Sequence, residues 1–287
     1  MIPAAFDYLR PGSLDEAIDA LGAEAEAKVI AGGQSLLPLL RLRLVYPSLL
    51  VDVSRLEELS GVRDDGDAIV IGAATPHAVV LAHPLVAEHA PLIAAATKTV
   101  GDPAIRHRGT FGGSLAHADP AGDLPAVVRA LDAELVVAGP SGRRVAAAAD
   151  FFADYLQTSL ADDELLVEVR VRKLAGDWGV RYEKFQRTAQ QWAIVGVAAA
   201  VRRDDGHIAE ARVALTNMGA IPVRAEAVES ALVGARAEPG AIAEAAAHAA
   251  DGTRPGSDIH AQADYRAHLA RVLTARAVSA AAGVPAG

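Results

Sequence analysis

The chain has 287 residues, 27 Lys and Arg against 36 Asp and Glu, and a formal charge of −9. Its length fits two or three compact domains at the usual ~100 to 200 residues each. The acidic balance argues against nucleic-acid binding, which needs clustered Lys and Arg to neutralise phosphates. With no cysteine at all, the chain has no disulfides, thiolate zinc sites, thiol nucleophiles or Cys-ligated iron-sulfur clusters, so redox chemistry here requires a bound organic cofactor.

Aromatic residues are only 4% of a 52% hydrophobic composition, so the core is expected to be built from Val, Leu, Ile and Ala. The first ten residues lack a basic region followed by an apolar run, and no stretch reaches about 18 uncharged apolar residues. A soluble, cytoplasmic protein without membrane insertion is expected.

In chain order, Ser13 and Glu16 form a capping box for a helix whose apolar face is Leu14, Ala17, Ile18 and Leu21. The strand-like run Lys28-Val29-Ile30 leads into Ala31-Gly32-Gly33-Gln34-Ser35. A helical run and a second strand, Leu49 to Val53, follow. Strand, glycine loop, helix and strand make a small α/β unit. A second unit begins near residue 60 with a strand at Ala68 to Ala73 and helices starting at Thr75-Pro76-His77 and Pro91. The glycine- and proline-rich segment Gly101 to Pro125 has little periodicity and reads as a long loop, of a length that is usually functional or disordered. Regular pattern resumes with a helix at Ala126 to Leu131 and strands at Glu134 to Ala138 and Glu164 to Arg172. From Gly176 onward, three strands run through the hairpin turn Asp204-Asp205-Gly206, and helices follow from Arg224, Ala241 and Tyr265.

Two glycine loops carry the chemistry, Ala31 to Ser35 and Thr110 to Ser114. Paired glycines beside hydroxyl and amide side chains let backbone amides approach an anion without an intervening Cβ. In the first loop Ser35 also leads into a helix, whose free amides favour negative charge. Taken singly, either loop is more often only a turn. Neither G-x-G-x-x-G nor a Walker sequence is present. Gly32-Gly33-Gln34 is shared with translation release factors, a reading that the acidic charge opposes. Arg106, His107 and Arg108 either neutralise a pyrophosphate or pair with Asp102 and Asp119. Asp123 is placed to cap a helix from Leu124. Lys184 shares a strand face with Tyr182 and Gln186, with solvation as the default expectation, and Trp192 suits a core or interface anchor. The histidines lack metal-ligand spacing and no Ser, His and acid arrangement stands out, so neither a metal site nor a catalytic residue is assigned.

On these segments the chain resembles the FAD-binding medium subunit of the molybdenum hydroxylases, the group that contains aerobic carbon monoxide dehydrogenase, and the central flavin domain of xanthine dehydrogenase. The first motif is Ala31-Gly32-Gly33-Gln34-Ser35-Leu36-Leu37-Pro38, then Leu42-Arg43-Leu44 and Leu50-Val51-Asp52-Val53. The second is Val100-Gly101-Asp102, Ile105-Arg106, Arg108-Gly109-Thr110 and Gly112-Gly113, continuing to Asp119-Pro120 and Asp123-Leu124-Pro125. Tyr182-Glu183-Lys184 and Trp192 to Val197 extend the likeness, which covers Phe6 to about Ala280.

The resemblance implies an α+β, vanillyl-alcohol-oxidase-type FAD-binding fold: two α/β subdomains over 1–55 and 56–176, then a C-terminal sheet-and-helix domain over 177–287. It implies that Ala31, Gly32, Gly33, Gln34, Ser35 and Leu36, with Gly101, Thr110, Gly112, Gly113 and Ser114, wrap the pyrophosphate and adjoining parts of FAD. Asp123 would contact FAD, a backbone group near Leu166 would meet the adenine end, Lys184 would sit near the flavin, and Trp192 would shield it. The family commonly has Asn, Ile and Asn where this chain has His107, Phe111 and Ser114, changes that bear on redox tuning. The implied role is an electron-transferring FAD subunit in a dimer of heterotrimers. A large molybdenum-cofactor subunit and a small subunit with two [2Fe-2S] clusters would supply the electrons, and an external acceptor would take them. A stand-alone FAD oxidoreductase and a scaffold that has lost FAD are the alternatives.

Overall fold

The computed structural model describes residues 2–285. The first unit comprises β1 (Asp7–Leu9), α1 (Leu14–Ala23), β2 (Lys28–Ile30), α2 (Leu36–Leu42) and β3 (Leu49–Asp52). Ser13 Oγ accepts the Glu16 amide at 3.2 Å while Glu16 Oε2 accepts the Gly12 amide at 2.6 Å, so the capping box closes as the sequence predicts. Leu14, Ala17, Ile18 and Leu21 are the buried face of α1. The strands pair in the order β1-β3-β2, all parallel. The first glycine loop therefore leaves the carboxyl end of β2, the end at which open parallel sheets bind ligands.

The second unit comprises β4 (Val62–Asp65), β5 (Ala68–Gly72), α3 (His77–Ala82), α4 (Pro84–His89), α5 (Pro91–Thr97), α6 (Pro103–Arg108), α7 (Phe111–His117), α8 (Asp123–Ala130), β6 (Glu134–Gly139), β7 (Gly142–Ala147), α9 (Ala148–Phe151), β8 (Phe152–Asp154), β9 (Gln157–Thr158) and β10 (Leu165–Arg172). Its main sheet is antiparallel, in the order β4-β5-β10-β6-β7. A β-bulge between Leu166 and Glu168 shifts the alternation of β10. Leu166, Val169 and Val171 thus enter one core, and Leu165 and Val167 join α1 and β3 in another.

The segment Gly101 to Pro125 is not the long loop that its composition suggests; it holds α6, α7 and the start of α8. Each of the first two helices is short and depends on a cap. Asp102 Oδ1 takes the Ile105 amide at 2.8 Å and Thr110 Oγ1 takes the Gly113 amide at 3.1 Å. Helices of six or seven residues are too short to display a periodic apolar face.

The third unit is a meander, β11 (Trp178–Phe185), β12 (Val195–Asp204), β13 (His207–Thr216) and β14 (Val223–Arg224), followed by α10 (Glu226–Leu232), α11 (Pro239–Ala246) and α12 (Ala263–Ala281). Strand β12 alternates: Val195, Val197, Ala199 and Val201 pack with the C-terminal helices, whereas Ala198 and Ala200 join the second unit's core. Small alanines on that face let α8 lie close to the sheet. That packing brings the N-terminus of α8 against β11, where the site forms. Among the described residues no helix is long and apolar enough to cross a membrane.

Candidate functional site

A cleft of about 880 Å³ opens where all three units meet. Its walls are the first glycine loop, the second glycine loop, the start of α8, the β8–β9 hairpin, Lys184 of β11 and Gln190 to Trp192. The two glycine loops are not equivalent. In the first, the N–H groups of Gly32, Gly33, Gln34 and Ser35 meet no acceptor among the described residues. In the second, Phe111 donates to Thr75 O, Gly112 to Ala73 O, Gly113 to Thr110 Oγ1 and Ser114 to Thr110 O, which leaves only the Thr110 amide without a partner among those residues. The first loop therefore has four amides free to meet an anion, whereas the second is a braced wall.

The glycines also serve a different purpose from the one their composition suggests. A Cβ on Gly32 would not point at a ligand: it would overlap the Arg108 carbonyl oxygen and come within 2.6 Å of Gly109 Cα. Gly32 is thus required where the first loop presses on Arg108 and Gly109, the lead-in to the second. Gly33 has φ +73°, a left-handed conformation that favours glycine. Gly112 backs onto Ala73, whose Cα would lie 2.6 Å from an added Cβ.

Asp123 does not cap α8; Gly122 holds the cap position and Asp123 is the first helical residue. Its two oxygens are taken by the third unit. Tyr182 Oη donates to Oδ1 at 2.7 Å, and Lys184 Nζ donates to Oδ2 at 2.8 Å and to Thr99 O at 3.2 Å. The Tyr182 hydroxyl also lies 3.3 Å from Thr216 Oγ1. Both charged side chains are only 4% exposed, so Lys184 is not a solvated strand residue. Burial pushes the Asp123 carboxyl above the ordinary carboxylate range, opposed by the Lys184 ammonium and the two hydrogen bonds. Burial and the neighbouring carboxylate drive the Tyr182 hydroxyl upward, so it remains a proton donor.

Trp192 is 55% exposed on the cleft rim rather than in a core. The residues after it are anchored: Asn217 Nδ2 donates to Ala193 O at 2.8 Å, and the buried Arg266 Nη1 donates to Ile194 O at 2.5 Å. The basic cluster before the second loop does not face the cleft. Arg106 Nη1 caps the carbonyls of Val100 and Gly101 at 2.9 and 3.3 Å, and His107 and Arg108 are exposed. Neither the pyrophosphate reading nor pairing with Asp102 or Asp119 describes Arg106. Among the described residues, no cluster of His, Cys, Asp and Glu is arranged to hold a metal ion.

Comparison with known proteins fits this geometry. The family profile described as "FAD binding domain in molybdopterin dehydrogenase" matches residues 4–173, and "CO dehydrogenase flavoprotein C-terminal domain" matches residues 180–281. The chain belongs to this flavoprotein family. It is 39% identical over 282 residues to the carbon monoxide dehydrogenase medium chain of Hydrogenophaga pseudoflava, covering 98% of each. It is 36% identical over 283 residues to the 6-hydroxypseudooxynicotine dehydrogenase complex subunit alpha of Paenarthrobacter nicotinovorans, covering 98% of this chain and 96% of the relative. The solved carbon monoxide dehydrogenase from Hydrogenophaga pseudoflava that lacks the Mo-pyranopterin moiety superposes with a TM-score of 0.96 at 41% identity, over 98% of both chains.

The residues of this flavoprotein suit FAD: four unpartnered amides await an anion, and the cleft has the volume of a cofactor site. Of the residues implied by the resemblance, Ala31 to Leu36, Gly101, Thr110, Gly113, Ser114, Asp123, Lys184 and Trp192 line it. Gly112 and Leu166 do not; the first supports its loop from behind, and the second is buried in β10. In the sequence His77 stands out only as part of a helix start and Tyr182 only as a strand residue, and Thr216 and Asn217 carry no local signal. The signals for Tyr182 are the alternating polar face of β11 and its place in the Tyr182-Glu183-Lys184 segment. Replacing Tyr182 with Phe would leave Asp123 Oδ1 without that donor in a buried site. A loss of about 1 to 3 kcal/mol is expected in a urea titration, with the fold retained.

Proposed function

We propose that this chain is the FAD-carrying electron-transfer subunit of a molybdenum hydroxylase complex, receiving electrons from [2Fe-2S] clusters on a partner subunit and passing them to an external acceptor. The observation that carries the reading is the first glycine loop, whose four free amides open on a cleft shared by all three units. In this reading, Ala31 to Leu36 take the pyrophosphate region, with Gly101, Thr110, Gly113 and Ser114 opposite. Asp123 and Lys184 present fixed polarity beyond them, and Trp192 covers the rim. Bound FAD would supply the ability to take electrons singly and release them singly or in pairs. The chain itself contributes binding, orientation and exclusion of water. With no Cys in the sequence, iron-sulfur clusters would have to reside elsewhere, on a small subunit carrying two of them. A large subunit would hold the molybdenum cofactor, the whole forming a cytoplasmic dimer of heterotrimers.

The test is to co-express the chain with candidate molybdenum and iron-sulfur subunits and record the visible spectrum of the purified assembly. Flavin and iron-sulfur absorption that copurify, and that bleach together on adding a substrate of the large subunit, are the expected result. Turnover by the isolated chain with a substrate of its own would replace this reading with a stand-alone oxidoreductase.

A further inference from the structure

His77 is a buried polar residue at the cleft that no role so far explains. It opens α3, is 3% exposed, and lines the cleft with Gly109, Thr110 and Gly113. Its backbone amide donates to Gly109 O at 2.9 Å, which ties α3 to the second glycine loop. The ring lies against the same residue: a Cβ placed on Gly109 would stand 3.0 Å from Cδ2 and 3.4 Å from Nε2. Neither ring nitrogen has a side-chain hydrogen bond among the described residues, and Nδ1 is fully sealed from solvent.

That asymmetry selects a tautomer. A sealed N–H with no acceptor is costlier than a sealed lone pair, so Nδ1 carries the lone pair and Nε2 carries the hydrogen. Burial and the nearby Arg106 charge hold the imidazole pKa down to about 4, so the ring is neutral at ordinary pH. The result is a fixed N–H donor beside the Thr110 amide, the one amide of that loop left without a partner among the described residues.

We propose that His77 is a further cofactor-binding residue, whose Nε2–H donates to an oxygen of the dinucleotide where it passes the second glycine loop. The proposal rests on the FAD reading above. It gives the second loop the polar contact that its internally bonded amides cannot make.

The test compares wild type, His77→Leu and His77→Gln for FAD affinity by flavin fluorescence, and for apo-protein stability by urea titration. Leucine removes an unpartnered polar group, so apo stability is expected to stay level or rise, while FAD binding weakens 10-fold or more. A purely structural histidine predicts the opposite sign for stability. Glutamine, which places an N–H near the Nε2 position, is expected to restore most of the affinity. Long-range nitrogen NMR of the wild-type ring is expected to show the Nε2–H tautomer and a shift on adding FAD. A flavin-loaded wild type whose affinity His77→Leu leaves unchanged, or a ring in the Nδ1–H form, overturns the proposal alone. A wild-type chain that holds no FAD even within its complex removes the cofactor reading and the proposal together.

Discussion

Asp123→Ala is expected to destabilise the chain by about 3 to 5 kcal/mol, the usual cost of removing one partner from a buried ion pair, and to abolish FAD retention. The size follows from burial: Lys184 is 4% exposed and its ammonium has, among the described residues, only Asp123 Oδ2 and Thr99 O as acceptors. Removing the carboxylate leaves a desolvated charge with one carbonyl. Tyr182 loses its 2.7 Å acceptor at the same time. The pair also joins α8 to β11, so its loss loosens the seam along which the cleft opens. A double variant separates fold from function. Asp123→Leu with Lys184→Met replaces both charges by apolar groups, an exchange that is often neutral or stabilising. Its stability is expected to return close to wild type while flavin remains absent. Calorimetry and flavin content of the two variants decide the matter. A double variant that binds FAD normally would reduce the ion pair to a structural tie.

How far the sequence exposes such a pair depends on the distance between its members. Tyr182 and Lys184 are 59 and 61 positions from Asp123, and nothing in either segment marks the other. The local pattern Gly122-Asp123-Leu124-Pro125 describes a helix start, so capping is the natural local reading, and tertiary packing overrides it. Features that are local in origin were legible. The capping box of α1, the strand before the first glycine loop, and the hairpin of β12 and β13 each follow from residues a few positions apart. Helices α6 and α7 were hidden because six or seven residues stabilised by one cap and by packing leave no period to read. The role of Arg106 is hidden for a related reason: its acceptors are backbone carbonyls at Lys98, Val100 and Gly101, which no side-chain pattern records. The glycine loops were found by composition, but composition does not reveal what each missing Cβ would have touched. In Gly32 it is the main chain of Arg108 and Gly109, just ahead of the other loop.

That last contact gives a sharp expected result: Gly32→Ala eliminates FAD binding at least 100-fold, a larger effect than Gly33→Ala. The added methyl on Gly32 would overlap the Arg108 carbonyl oxygen and stand 2.6 Å from Gly109 Cα. Both obstacles are main chain, so no side-chain rotation relieves them and the loops must part. Separation displaces the four free amides of the first loop relative to Thr110 and His77, so the cofactor can satisfy one wall or the other. At Gly33 the nearest obstacle is Leu37 Cδ1 at 2.9 Å, the end of a flexible side chain, and the penalty is chiefly the left-handed φ of +73°. Such strain costs about 1 to 2 kcal/mol, equivalent to roughly a 10-fold effect. Gly66→Ala supplies the control: φ there is +70° with nothing within 4 Å, in the turn between β4 and β5 away from the cleft. It should show strain in a melting curve and full flavin content. Helical circular dichroism is expected to persist in all three, because the C-terminal core of Val195, Val197 and α12 does not involve the loops. Flavin retained by Gly32→Ala would mean that the loops tolerate separation, and that the cradle is not set by their contact.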